Sequence, residues 1–83
     1  MTTILFFGRL SDAAGASEIR IDLPAHVETV GALRTWLGAG DSMLAAALAA
    51  PGVRAARDRI FCDFDAAIAD AREVAFMSPL SGG

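Results

Sequence analysis

Few side chains in this sequence are of a type that does chemistry. The single His, His26, sits in "AHVE" with no Cys or Asp at metal-ligand spacing, which argues against a metal site. The single Cys, Cys62, lies inside the apolar stretch "RIFC" and reads as a small core residue rather than a nucleophile. Asp63, Asp65, Asp70 and Glu73 form an acidic stretch at turn and edge positions, which reads as a solvated face. The glycines do not compose a phosphate-binding loop, and the seven arginines are scattered. What remains is the end of the chain, "FMSPLSGG". At ordinary glycine usage a closing Gly-Gly pair arises in roughly 0.5% of chains by chance. The stretch from Ser78 to Gly83 extends to about 20 Å. Its two glycines carry no side chains and pass a channel closed to anything larger. A carboxylate on such an arm can be activated as an acyl-adenylate. Gly83 is therefore the candidate reacting residue, and Ser78, Pro79, Leu80, Ser81 and Gly82 form the inserting arm. Pro79 stiffens its exit, and Ser81 is placed to hydrogen-bond along a channel.

The folded part must hold and present that arm. At 83 residues the chain is one small domain, expected to bury about 60–65% of its unfolded surface. Its 54% hydrophobic content argues for a real core. The formal charge of −3 offers no basic footprint for nucleic acid or an anionic membrane. No apolar run approaches the roughly 20 residues of a membrane span. The first residues lack the pattern of a signal peptide. One Cys excludes an internal disulfide framework and fits a reducing compartment. The expectation is a cytoplasmic protein without nucleic-acid or membrane partners.

"TTILFFG" is an apolar, β-forming run ending at Gly8. Arg9 to Ala16 reads as a short helical turn. "SEIRIDLP" alternates, with Ile19, Ile21 and Leu23 on one face, and reads as a half-buried strand closed by Pro24. Thr29 caps a helix in which Val30, Leu33 and Leu37 recur at helical spacing, stopped by Gly38 and Gly40. Asp41 or Ser42 caps a second short helix, "MLAAALAA". "RIFCDFD" reads as the third strand, "AAIADARE" as a weak fourth element and "EVAFM" as the last strand. Helices in the middle of an otherwise β chain imply an α+β domain: a mixed sheet of four to five strands grasping one main helix. Its first and last strands are neighbours at the centre, with a folded domain over residues 1–77 and a flexible tail over 78–83.

Strand parity then exposes a surface. Ile4 and Phe6 face opposite to Leu5 and Phe7, Ile60 and Cys62 opposite to Phe61, and Val74 and Phe76 opposite to Ala75 and Met77. If helices cover one sheet face only, Phe7, Phe61 and Met77 are left on the other, and a patch of that kind marks a partner interface.

Taken together, "ILFFGRL", "TVGALRTWL" and "DAREVAFMSPLSGG" resemble the small, sulfur-carrying subunits of molybdopterin synthase, a family of β-grasp, ubiquitin-like proteins. Ser78 stands where that family usually has a proline, a change that implies a looser tail, and Ala71-Arg72 replace a Gly-Asp pair. The resemblance implies that Gly83 is adenylated by an E1-like activating enzyme that consumes ATP. Sulfur from a persulfide donor then converts it to a thiocarboxylate. The tail inserts into the large catalytic subunit, where sulfur passes to cyclic pyranopterin monophosphate and builds the dithiolene. Two carriers flank a dimer of large subunits in a heterotetramer. The chain is on this reading not an enzyme alone and binds no cofactor stably. Because the sequence has no Lys, an activated Gly83 is not lost to a side-chain amine of another copy. Carriers of the thiamine or tRNA-thiolation pathways share the fold and the Gly-Gly end, and a ubiquitin-like interaction module without acyl chemistry shares the sheet surface.

Overall fold

The computed structural model describes residues 1–79. In chain order the elements are β1 (Thr2–Phe7), α1 (Arg9–Ala14), β2 (Glu18–Ile21), α2 (Val30–Gly38), α3 (Ser42–Leu48), β3 (Arg54–Arg57), β4 (Ile60–Cys62) and β5 (Glu73–Met77). The strands form one sheet in the order β2-β1-β5-β3-β4. β1 and β5 are neighbours at the centre, as expected of the first and last strands; they run parallel, and the remaining pairs are antiparallel.

The period-2 pattern decides which face is filled. Ile4, Phe6, Val74 and Phe76 are buried on the helix side. The register Ile4↔Val74 and Phe6↔Phe76 sets them in pairs, with the two phenyl rings stacked at 6.4 Å. Val30 and Leu33 of α2, Leu44 and Leu48 of α3, and Leu10 of α1 close over them. Burying a side chain such as Phe76 or Leu33 contributes about 2–3 kcal/mol of transfer free energy. The helix starts follow from side-chain caps: Thr29 Oγ1 accepts from the Ala32 amide at 3.0 Å, and Asp41 Oδ1 from the Leu44 amide at 3.0 Å. The single grasped helix of the sequence reading is thus joined by α1 and α3, whose leucines supply core of their own.

Two strand assignments change. β3, "RAAR", carries no strand signal in the sequence, because it holds two arginines and two alanines and no large apolar residue. Its pairing partners on both sides make it a strand, and Ala55 and Ala56 are buried beneath their neighbours. "RIFCDFD" contributes only Ile60–Cys62, the edge strand of a hairpin. The hairpin turns at Asp58 and Arg59, with φ of 48° and 70°, the left-handed pair that two-residue hairpin loops need. "AAIADARE" is not an element. It is a loop that runs to the start of β5, and its Ile68 drops into the core. A bridge between Thr29 and Ala67 lays it along the entry to α2, with hydrogen bonds from the Val30 amide to the Ala66 carbonyl and from the Ile68 amide to the Glu28 carbonyl. Asp70, at φ 63°, forms the turn that leads the loop toward β5.

Asp58 ties the hairpin turn to the start of β5. Its Oδ1 accepts from the amides of Arg72 (2.9 Å) and Glu73 (3.0 Å), and its own amide donates to the Glu73 carbonyl at 2.9 Å. Its Oδ2 pairs with Arg57 Nη1 at 3.2 Å. Asp58→Ala is expected to cost about 1–2 kcal/mol in urea unfolding, since two donors lose a charged acceptor. Asp58→Asn, which tolerates the left-handed backbone and keeps an oxygen acceptor, is expected to cost less.

Candidate functional site: the root of the arm and the open sheet face

Because β1 and β5 are parallel, they run out at the same end of the sheet, with Phe7 beside Met77. The chain therefore leaves β5 next to the turn between β1 and α1. There the Ser78 hydroxyl accepts from the Arg9 amide at 3.1 Å and donates to the Phe7 carbonyl at 3.4 Å. Gly8, the residue between them, has φ 64° and caps α1 without a side chain. A Cβ at Gly8 would collide with Ser78 Oγ. On the other side Pro79 lies over Gly52, at φ 86°, where a Cβ would come within 3.1 Å of Pro79 Cγ. Two glycines at positive φ thus make a seat for two consecutive residues. The seryl hydroxyl ties the root of the arm to the domain, where substitution of the family's proline had implied loosening. Of the predicted arm, Ser78 and Pro79 are placed here, while Leu80, Ser81, Gly82 and the reacting residue Gly83 lie outside the described residues.

The sheet face away from the helices brings together Phe7, Phe61 and Met77, the three residues predicted as a partner interface. Phe7 is 50% and Phe61 56% exposed. Pairing places Leu5, Ala75, Ala56 and Phe61 in one row across the sheet, and Phe7, Met77 and Arg54 in the next. Two alanines at the middle of the first row give the surface a floor between bulky walls, a depression of about 350 Å³. Its rim carries Arg59 and Glu73, and the Arg54 guanidinium lies 4.0 Å over the Phe61 ring. Sequence reasoning missed Ala56 and Arg54 because it missed β3. Their alternation with Ala55 and Arg57 was the available signal, and it lacked the large apolar residues that make alternation visible.

The other candidates do not converge. His26 lies by a shallow groove on the outer side of α2 with Trp36 and Thr35. Among the described residues no three His, Cys, Asp or Glu side chains are grouped to hold a metal ion. Among the same residues no helix is long and apolar enough to cross a membrane. Cys62 packs partly against the core. Burial pushes its thiol up from the ordinary value, and the neighbouring Asp63 adds to this against the opposing influence of Arg57. The thiolate is therefore disfavoured at neutral pH. The stability linked to the protonated thiol is fully present below the ordinary thiol pKa and is lost as pH rises through the higher folded value. Alkylation of Cys62 by iodoacetamide is accordingly expected to be slower in the folded chain than in the urea-unfolded chain near pH 8, with the gap narrowing as pH rises. Equal rates would show the thiol to be unshielded.

A mixed five-stranded sheet with its helices on one face, its first and last strands parallel at the centre and a chain end leaving beside β1 defines a ubiquitin-like β-grasp domain. The chain belongs to the ThiS family, which matches residues 4–83. It is 35% identical over an 85-residue alignment, covering all of both chains, to the molybdopterin synthase sulfur carrier subunit of Escherichia coli (strain K12). Among solved structures it is similar to SAMP1 from Haloferax volcanii, with a TM-score of 0.81, 23% identity and coverage of 99% of this chain and 98% of that one. It is also similar to a putative molybdopterin converting factor, subunit 1, from Pyrococcus furiosus, with a TM-score of 0.76, 20% identity and coverage of 95% and 97%.

Proposed function

We propose that this chain is the sulfur carrier of a molybdopterin synthase and that Gly83 is its working residue. The observation that carries the reading is the full-length likeness, at 35% identity, to a carrier subunit of that synthase. In the proposed cycle a carboxylate oxygen of Gly83 attacks the α-phosphorus of ATP on an E1-like enzyme and pyrophosphate leaves. The terminal sulfur of a donor persulfide attacks the acyl carbon and displaces AMP, giving an acyl disulfide with the donor. A thiol then attacks the donor's sulfur of that S–S bond, forms a disulfide with the donor and releases the thiocarboxylate on Gly83. The arm then enters the large catalytic subunit and its sulfur passes to cyclic pyranopterin monophosphate. The domain itself holds no cofactor; ATP belongs to the activating enzyme and the carried sulfur to the chain end.

The geometry supports this division of labour. The described residues offer no convergent polar cluster for an anionic pterin phosphate, so the partner supplies the reaction chamber. The open sheet face, with Phe7, Phe61 and Met77, supplies the docking surface, and the seat at Gly8 and Gly52 brings the arm out beside it. Intact mass after incubation with ATP, the activating enzyme and a sulfide source tests the reading. The expected gain equals exchange of one oxygen for one sulfur, located at Gly83. A gain that survives loss of Gly83 and disappears in Cys62→Ala would overturn it.

A further inference from the structure

We infer that Ser78 is a positioning residue for the chemistry at the chain end, acting by pinning the root of the arm; the inference rests on the proposed carrier function. Its hydroxyl is used in both senses, accepting from the Arg9 amide and donating to the Phe7 carbonyl, 69 and 71 residues away in sequence. The Arg9 amide opens α1, where the Gly8 cap offers no side-chain acceptor, so Ser78 supplies from the far end of the chain the acceptor that a cap residue normally supplies locally. Gly8 is the residue that permits this, because any Cβ there would occupy the place of the hydroxyl.

The consequence is a shorter working arm. If motion began at the end of β5, the residues from Ser78 onward would sweep about 20 Å. With Ser78 tied and Pro79 resting on Gly52, the four residues beyond Pro79 span at most about 14 Å, measured from a fixed origin at the rim of the docking face. A fixed origin lowers the entropy lost when the arm threads a channel, which makes productive binding tighter without altering the reacting atoms. Ser78 therefore acts on the affinity of the carrier for the enzymes that work on its end.

The test compares wild type, Ser78→Ala, Ser78→Thr and a chain lacking Gly83 in ATP–pyrophosphate exchange by the activating enzyme, with carrier concentration varied. Hydrogen exchange at the Arg9 amide is followed in parallel. Ser78→Ala is expected to raise KM for the carrier about three- to ten-fold, the size of one lost exposed hydrogen bond, with kcat unchanged. The Arg9 amide is expected to exchange faster in Ser78→Ala, and Ser78→Thr to restore both properties. A wild-type KM in Ser78→Ala, or an equally slow Arg9 amide, would overturn the inference. So would a lowered kcat at unchanged KM. Exchange that persists without Gly83 sinks the carrier reading itself, whereas its loss there together with a wild-type KM in Ser78→Ala sinks only the role of Ser78.

Discussion

Deleting Gly83 is expected to leave the domain folded and to abolish sulfur transfer altogether. The buried core runs from Ile4 to Phe76, and β5 ends at Met77. Thermal unfolding of the shortened chain should therefore stay close to wild type. The proposed chemistry, by contrast, needs the carboxylate at one place. Removing a residue shifts it by up to about 3.6 Å, and misplacement of a reacting atom by even 1 Å costs on the order of 10²-fold. It also ends the arm in a different peptide environment. The measurement is dithiolene formation from cyclic pyranopterin monophosphate with the purified large subunit, beginning from carrier treated with activating enzyme, ATP and sulfide. Activity above background in the deleted chain would refute the assignment of Gly83. Full thiocarboxylation of the intact chain with no turnover by the large subunit would instead direct the carrier to a thiamine or tRNA-thiolation pathway. An interaction module would keep its partner and its effect after the deletion.

Phe7→Glu is expected to weaken binding of the large catalytic subunit by about 100-fold or more, with the fold intact. Aromatic side chains at the centre of an interface contribute about 2–4 kcal/mol each, and a carboxylate forced into the same apolar site adds a desolvation penalty. Phe7 is half exposed and stands at the end of β1, so its loss removes little core packing. Ile60→Glu is the matched control. Ile60 is 72% exposed but faces opposite to Phe61, off the depression. Calorimetric titration against the large subunit should show near-normal affinity for Ile60→Glu. Equal loss in both variants would point to net charge rather than to the sheet face, and no loss in Phe7→Glu would remove that face from the interface.

Much of this arrangement could be read from residue types, and the exceptions share a cause. β1 and β5 announce themselves because Ile4, Phe6, Val74 and Phe76 are large and alternate, and burying them on one side excludes a one-residue slip. Thr29 and Asp41 are legible as caps because their chemistry is local. β3 is not: Ala55 and Ala56 owe their burial to neighbours on β4 and β5, and alanine alone carries no periodic signal. The loop containing Ile68 looked like an element because an isolated apolar residue mimics the start of a pattern. In the site, the open face followed from parity, but its alanine floor and Arg54 waited on the missing strand. The hydroxyl bridge of Ser78 is not legible in the sequence, since it joins residues about 70 positions apart and depends on the positive φ and missing side chain of Gly8.

The parallel pairing of β1 with β5 has a practical corollary for handling the molecule. Met1 precedes the start of β1, and Ser78 is tied where β1 ends, so Met1 and Ser78 lie at opposite ends of a strand about 17–20 Å long. The sequence contains no lysine, so amine-directed coupling goes to the amino end, where Met1 makes only a loose, exposed pairing with Asp22 at 3.8 Å. A dye, bead or sensor surface attached by that route would join every copy at the same point, at the far end of β1 from Ser78 and off the open sheet face.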